Sequence, residues 1–371
     1  MHTASLRTDH FNDVLIRLPP GLDLDALAFE TGAIQRRREI SDGASLLRLA
    51  LARGPGGLSL SQTAAWAEMI GLTGLSSPGV KYRLDHAADF LDALVGRLLA
   101  VADHTAPLHW PGRTLRAADG TFINQQASRG LDWRVHGVFD LGLGRFSHLA
   151  LTDCHTAESM AHGKPIDGEI RIGDRNYARA GVLREMREHT AGKADFIVRM
   201  SWRTFTLTTH DAQRFDIVDY LAALPNGAGP HEVCVLAKAG RLTPALPLRL
   251  VIMRKSPQAT EAARKKLPRQ ASRKQKKLDP RTLVAAEFLI LATSLPNEGY
   301  SADEIYAAYR LRWQIELAFK RLKSLLHLDE LPTRTPLASR SWLLAHLVLA
   351  LLCDDASQDF LESSPSGPPR R

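Results

Sequence analysis

The 371-residue chain has only three cysteines, Cys154, Cys234 and Cys353, and none has a spaced partner. That pattern excludes a disulfide framework, offers no zinc-ligand spacing, and fits a reducing compartment. The opening residues, MHTASLRTDHFNDV, contain no apolar run, so no signal peptide is read there. The longest apolar run, WLLAHLVLALLC at 342–353, is too short to cross a bilayer and reads as a core helix. A Walker loop and a G-x-S-x-G elbow are both missing. GLGR at 142–145 precedes a strand pattern, so it reads as a hairpin turn and not as a phosphate loop. No internal repeat is found. These absences argue against a secreted scaffold, a membrane protein, a P-loop enzyme and an α/β hydrolase.

Positive charge is in excess. The formal net charge is +8 and the pI is about 9.5, which points to a polyanionic partner, most simply nucleic acid. Residues 254–277, RKSPQATEAARKKLPRQASRKQKK, hold ten Lys/Arg against one acid, Glu261. Such a run reads either as a solvated, partly disordered linker or as a phosphate-contacting segment. The second reading nominates Arg264, Lys265, Lys266, Arg273, Lys274, Lys276 and Lys277 as DNA contacts.

Residues 22–100 read as helical. Ser59 stands three residues before Gln62 at the start of one helix, a capping-box spacing. After Gly71 and Gly74 a second helix begins, with Ser77 as cap and Pro78 in the first turn. Two short helices across a glycine turn are compatible with a helix-turn-helix, which would offer Lys81 and Arg83 to DNA, or with an ordinary helical hairpin. From 113 the pattern alternates as strands do: RTLRAADGTF, DWRVHGVFDLGLG, RFSHLALTD and IRIGDRNY, then a helix at ARAGVLREMREHT. β character continues through ADFIVRM, WRTFTLTT, HEVCVLAKAG and LPLRLVIMRK, and EFLILATSL leads into one long helix from Ser301. Strands that give way to strand–helix alternation argue an α/β mixed sheet flanked by helices. The expected division is 1–108 helical, 109–200 first part of the core, 201–284 β insertion and basic segment, 285–355 second part of the core, and 356–371 a disordered tail.

The long helix opens with Tyr300, Ser301 and Glu304 as staple, cap and capping-box acid. On an unbroken helix Tyr309, Arg312, Glu316 and Lys323 share an arc of about 60°. It borders an apolar stripe of Leu311, Ile315, Ala318, Phe319, Leu322, Leu325 and Leu326. A lone carboxylate here reads as the i,i+4 partner of Arg312, worth ~0.2–0.5 kcal/mol, unless other acids join it. Asp119, in AADGT, and Asp174, in IGDRNY, each read as standing where an apolar strand ends, which is where open sheets build sites. Asp119, Asp174 and Glu316 would make a hard oxygen site suited to Mg2+. Two such ions about 3.5–4 Å apart serve phosphodiester chemistry. Asp153, Cys154 and His155 are ligand types too, but adjacent side chains at a strand end diverge.

The spacing Tyr-x2-Arg-x3-Glu-x6-Lys, with ADGT and DRNY ahead of it in order, resembles the signature of bacterial insertion-sequence DDE transposases of the insertion-sequence-four family. The resemblance covers roughly 45–352. It implies a ribonuclease H-like sheet interrupted by a β insertion, and Asp119, Asp174 and Glu316 as ligands of two Mg2+, with Mn2+ able to substitute. Tyr309, Arg312 and Lys323 would grip phosphates. The reaction implied is cleavage at the element's ends and strand transfer into target DNA. The partners implied are terminal inverted repeats, target DNA and a second copy of the chain, at the nucleoid in the cytoplasm, away from membranes. Asn176 stands where the family usually has glycine, and Phe288, the aromatic ahead of the signature helix, reads as core. Two other readings stay open: a catalytically inactive DNA-binding descendant, and a metal-dependent nuclease unconnected with transposition.

Overall fold

A computed structural model describes residues 11–100, 110–124, 132–225, 227, 229–240, 243–273, 275, 277–326, 331–333 and 335–363. Six helices come first: α1 (Phe11–Ile16), α2 (Leu24–Glu30), α3 (Gly43–Arg53), α4 (Leu60–Met69), α5 (Ser77–Asp85) and α6 (Ala88–Ala100). The capping box of Ser59 and Gln62 starts α4. The cap of α5 is Ser76, one residue earlier than the sequence pattern suggests, and it makes no side-chain cap bond.

Strands β1 (Thr114–Ile123), β2 (Trp133–Asp140) and β3 (Arg145–Asp153) form an antiparallel meander. The GLGR turn joins the last two, with Gly144 at φ 67 and Asp140 Oδ1 accepting from the Gly142 and Leu143 amides. β4 (Glu169–Gly173) pairs parallel with β1. The crossover helix α7 (Ala180–His189) leads to β5 (Asp195–Met200), parallel to β4. Then come β6 (Leu207–Thr208), α8 (Ile217–Ala223), β7 (Pro230–Ala237), β8 (Leu246–Arg254), α9 (Pro257–Arg273), α10 (Pro280–Ala285) and β9 (Phe288–Thr293). All nine strands lie in one mixed sheet, ordered β3-β2-β1-β4-β5-β9-β8-β7-β6. Its β3-to-β5 half, parallel across β1, β4 and β5, is the ribonuclease H-like core that the resemblance implies. The insertion extends the same sheet, because β9 pairs with β5 on one side and β8 on the other. Of WRTFTLTT, only two residues form strand β6.

Period-two alternation divides the core. Phe196, Val198, Leu250, Ile252, Ile290 and Ala292 face α7 and α8. Ile197, Val251 and Leu291 face the opposite core, which they share with α2–α6 and the last helix, α13 (Pro336–Ser363). The run 342–353 lies within α13, and Leu343, Leu347 and Val348 are fully buried there. By length and composition alone Pro336–Cys353 would pass as a membrane span, yet two-thirds of it is buried inside the protein. α13 continues to Ser363, into the stretch expected as a tail, while 364–371 lie outside the described residues.

Two expectations need correction. The basic segment is not an irregular linker up to 273. Ser256 caps it, Pro257 opens it, and helix-forming Ala, Arg, Lys and Gln carry α9 through Pro268. Lys274 and Lys276 fall outside the described residues. The helix from Ser301 is also two helices, α11 (Ala302–Arg310) and α12 (Trp313–Leu326). Between them Leu311, Arg312, Gln314 and Ile315 donate to carbonyls three residues back, which tightens the turn. The two halves serve different parts of the sheet. Tyr306 of α11 donates its hydroxyl to Val251 O and Leu289 O at 2.9 and 2.8 Å. α12 lies over β1 and β2, with Phe319 against Phe146 at 5.4 Å between ring centroids.

Candidate active site

β1 carries Asp119 at mid-strand, not at the strand end. Its β2 edge stays paired through Ile123, whereas its β4 edge is paired only as far as Ala117, opposite Ile172. Two residues further on, where β4 has ended, Asp119 lies within electrostatic reach of Asp174. Asp174 itself starts a tight 3-10 turn, Arg175–Tyr177, by accepting the Asn176 amide at 2.7 Å. Asn176 has no positive φ in this turn, so its replacement of glycine carries no backbone strain.

Electrostatics ties these groups together. Burial pushes the Asp119 carboxyl up to about 6, and the neighbouring acids Asp174 and Glu158 push the same way. The Gly120 amide, donating to Oδ1 at 2.8 Å, and the Arg312 guanidinium oppose that rise. Buried Tyr177 lies in the field of the same three acids, so its hydroxyl stays protonated.

Glu316 stands apart from this trio. It is half exposed and held by Arg312 at 2.6 Å. Arg312, at the α11–α12 junction, therefore sits between Glu316 and Asp119. Burial works against its charge, but Tyr309, Glu316 and Asp119 more than offset this. Its Nε is buried without a partner. Tyr309 lies beneath the guanidinium, 5.8 Å from ring centroid to Cζ, and burial raises its hydroxyl. Lys323 donates to Phe122 O at 2.9 Å, which ties α12 to β1.

Among the described residues no three His, Cys, Asp or Glu side chains are arranged to hold a metal ion. The donor chemistry still suits a divalent cation. Asp119, Asp174 and Glu158 are hard oxygen donors whose mutual repulsion a cation would relieve. In this conformation the fit stops at Glu316, which Arg312 occupies. Asp153 is not a ligand candidate, since its Oδ1 accepts from the His155 and Thr156 amides at 2.9 Å and caps a turn.

The other nominated residues lie elsewhere. Lys81 pairs with Asp85 on α5, as i,i+4 neighbours. Arg83 is on the same helix, whose partners α3, α4 and α13 carry none of the acids. On α9, Arg264 is bound to Glu287 at 2.5 Å and Lys265 to Glu261 at 2.7 Å. Lys266, Arg273 and, just beyond the helix, Lys277 are exposed. Phe288 is buried under Arg254, 4.4 Å from ring centroid to Cζ, and is core as expected. Sequence reasoning missed Glu158, which lies in the loop after β3 without a motif, and Arg199 on β5, which looks like one more strand residue.

An aspartate on a paired strand, a second at a neighbouring strand end and a helix acid behind an arginine follow the order of acids expected of a DDE enzyme. Residues 110–353 match the family described as transposase DDE domain, and the chain belongs to that family. It is 37% identical over 360 residues to the putative transposase InsL for insertion sequence element IS186A of Escherichia coli (strain K12), with 96% of each chain covered. It is 37% identical over 361 residues to the transposase for insertion sequence element IS421 of Escherichia coli, again with 96% of each covered. A cryo-EM structure of a piggyBac transposase synaptic complex with hairpin DNA shares 8% identity with it. The TM-score is 0.49, over 97% of this chain and 74% of that one.

Proposed function

We propose that this chain cuts DNA at the ends of an insertion sequence and joins them to target DNA, using Asp119, Asp174 and Glu316 to hold two Mg2+, with Mn2+ able to substitute. The observation that supports the reading is that Asp119, past the end of its pairing with β4, lies in the field of Asp174, with Arg312 between Asp119 and its partner Glu316. A bound pair of cations would activate water or a 3′-hydroxyl and stabilise the leaving oxygen. The chain's own residues do the rest. Asp119 must be ionised to bind a cation. Arg312 must release Glu316, and its guanidinium is then free for a phosphate, for which planar paired donors suit it. Tyr309 supports that guanidinium from below. Lys323 keeps α12 seated on β1 and offers its remaining donors to the backbone of the element's end. The working partners are terminal inverted repeats and target DNA, with a second copy of the chain in the DNA complex, at the bacterial nucleoid.

The pairing of Glu316 with Arg312 favours one rival, a descendant that binds ends without cutting them. One experiment separates the two. The gene should be flanked by short inverted repeats, and the repeat serves as probe in gel-shift and cleavage assays with and without Mg2+. Glu316→Gln and Asp174→Asn should leave binding intact and abolish cleavage. Wild-type protein that binds the repeat but never cuts it in Mg2+ or Mn2+ establishes the inactive descendant instead.

A further inference from the structure

A second group of cations stands on the other side of the acids from α12. Arg175 follows Asp174 directly, and Arg199 follows Val198, the residue that pairs with Gly173 across β4 and β5. Along β5 and β8 the period of two sends Arg199 and Lys255 to the face that carries Ile197, Val251 and Met253, which is the α11 face. There Arg199 lies within electrostatic reach of Tyr309, of Arg175 and of Lys255. Arg175, Arg199 and Lys255 form no ion pair among the described residues; Asp174 is the acid beside Arg175. Lys255 donates to Ala286 O at 2.7 Å and is partly buried, and burial, then Arg199 and Arg175, lower its ammonium pKa. Among the described residues three like charges thus gather with Asp174 as the acid beside them, an excess of positive charge that favours an anion there.

The cluster also has a direction. Lys255 follows the last residue of β8 and stands two residues before α9 begins, and its amide donates to Glu287 O at 2.8 Å. The side chain of the same Glu287 binds Arg264 from the middle of α9 at 2.5 Å. In the order of the sheet the cations thus run from Lys323 and Arg312, past Tyr309 and the two aspartates, to Arg175, Arg199 and Lys255, and onward to α9.

We infer that Arg175, Arg199 and Lys255 seat the backbone phosphates of DNA that continues beyond the cut, outside the element, with α9 extending the seat. The inference rests on the proposed function, which assigns the α12 side to the element's end. It divides the path of the DNA into two halves at the Asp119–Asp174 pair, and gives the outer half to residues that no signature motif contains.

The test uses full-length protein in EDTA and two duplexes: the terminal repeat trimmed at the cleavage point, and the same repeat with about one helical turn, ~10 base pairs, of flanking DNA. Arg199→Gln with Lys255→Gln keeps a hydrogen-bond donor at each position and removes both charges. The wild type should bind the flanked duplex more tightly, and the double variant should lose that preference with unchanged affinity for the trimmed one. Exposed Arg175→Gln alone, which threatens no fold, should reduce the log–log salt slope on the flanked duplex by ~0.9 and leave the trimmed slope unaltered. Charge-retaining Arg199→Lys should restore the preference. Equal weakening on both duplexes, or none on either, overturns the inference. A wild type that binds neither duplex overturns the functional reading beneath it.

Discussion

Asp119 is an acid that folding keeps protonated longer than usual, so its charge state links stability to cation binding. Its ordinary value is 3.8 and its folded value about 6. Between those values the folded chain holds a proton that the unfolded chain has released, so this group's contribution to stability falls as pH rises from about 4 to about 6. Asp119→Asn, a mimic of the protonated form, should therefore raise the Tm of cation-free protein at pH 8 and leave it nearly unchanged at pH 4. Divalent-cation affinity of the wild type should rise through pH 6, since the cation needs the ionised form. Melting curves and Mn2+ titrations across pH 4–8 check both, and a Tm difference that is constant with pH would refute the burial argument. Glu316 follows a different logic. Its bond to Arg312 is an i,i+4 pair with the carboxylate 53% exposed, and such pairs contribute only ~0.2–0.5 kcal/mol. The bond is weak, as the proposed release of Glu316 requires, so Glu316→Gln should shift the Tm by no more than a degree or two.

At the level of elements, α12 is held by a close approach to the sheet. Gly137 of β2 leaves no room for a side chain. A Cβ there would stand 2.8 Å from Phe319 Cζ and 2.9 Å from Phe146 Cε1. Gly137→Ala should therefore cost ~1–3 kcal/mol of overpacking and displace α12 with Glu316, lowering cleavage more than DNA binding. Beneath the site, buried Arg171 pairs with Glu169 and donates to the carbonyls of Met160, His162 and Gly163. It thereby pins the loop that carries Glu158. Arg171→Met leaves the buried Glu169 carboxylate with Arg116 at 3.4 Å and the Ile166 amide as its remaining partners, so the cost should stay below the ~3–5 kcal/mol of a fully stranded buried charge, read as a Tm drop in circular dichroism. Strands were legible in the sequence because their signals are local: Phe196, Ile197 and Val198 form a short apolar, partly β-branched run of the kind a strand buried on both faces needs. The α11–α12 break was not legible, since no Gly or Pro marks it and its cause is the distance between two docking sites on the sheet. Asp119 looked like a strand end because D-G is a turn signal, and only its pairing with Gly137 keeps it mid-strand. Glu158 had no signal at all, being brought to Asp119 by Arg171 and its loop.

For the whole molecule, the question is how one sheet presents a continuous surface to a polyanion. The basic run was legible as charge but not as structure, because lysine and arginine are enriched both in solvated linkers and in helices. α9 resolves its cations into two kinds. Arg264 and Lys265 are committed to Glu287 and Glu261, whereas Lys266, Arg273 and Lys277 are exposed. Counterion release distinguishes them, since a residue already neutralised by a carboxylate releases little when a phosphate replaces that partner. Neutralising Lys266, Arg273 and Lys277 together should flatten the salt dependence of binding to flanked DNA by up to ~0.9 per residue. Neutralising Arg264 and Lys265 should alter the slope much less. Arg264→Gln should instead loosen α9 from Glu287, which native-state hydrogen exchange reads as lost protection of the α9 amides. Equal slopes for the Lys266/Arg273/Lys277 variant and the Arg264/Lys265 variant would mean that α9 meets DNA without regard to its ion pairs, and the path from Lys255 outward would have to run elsewhere.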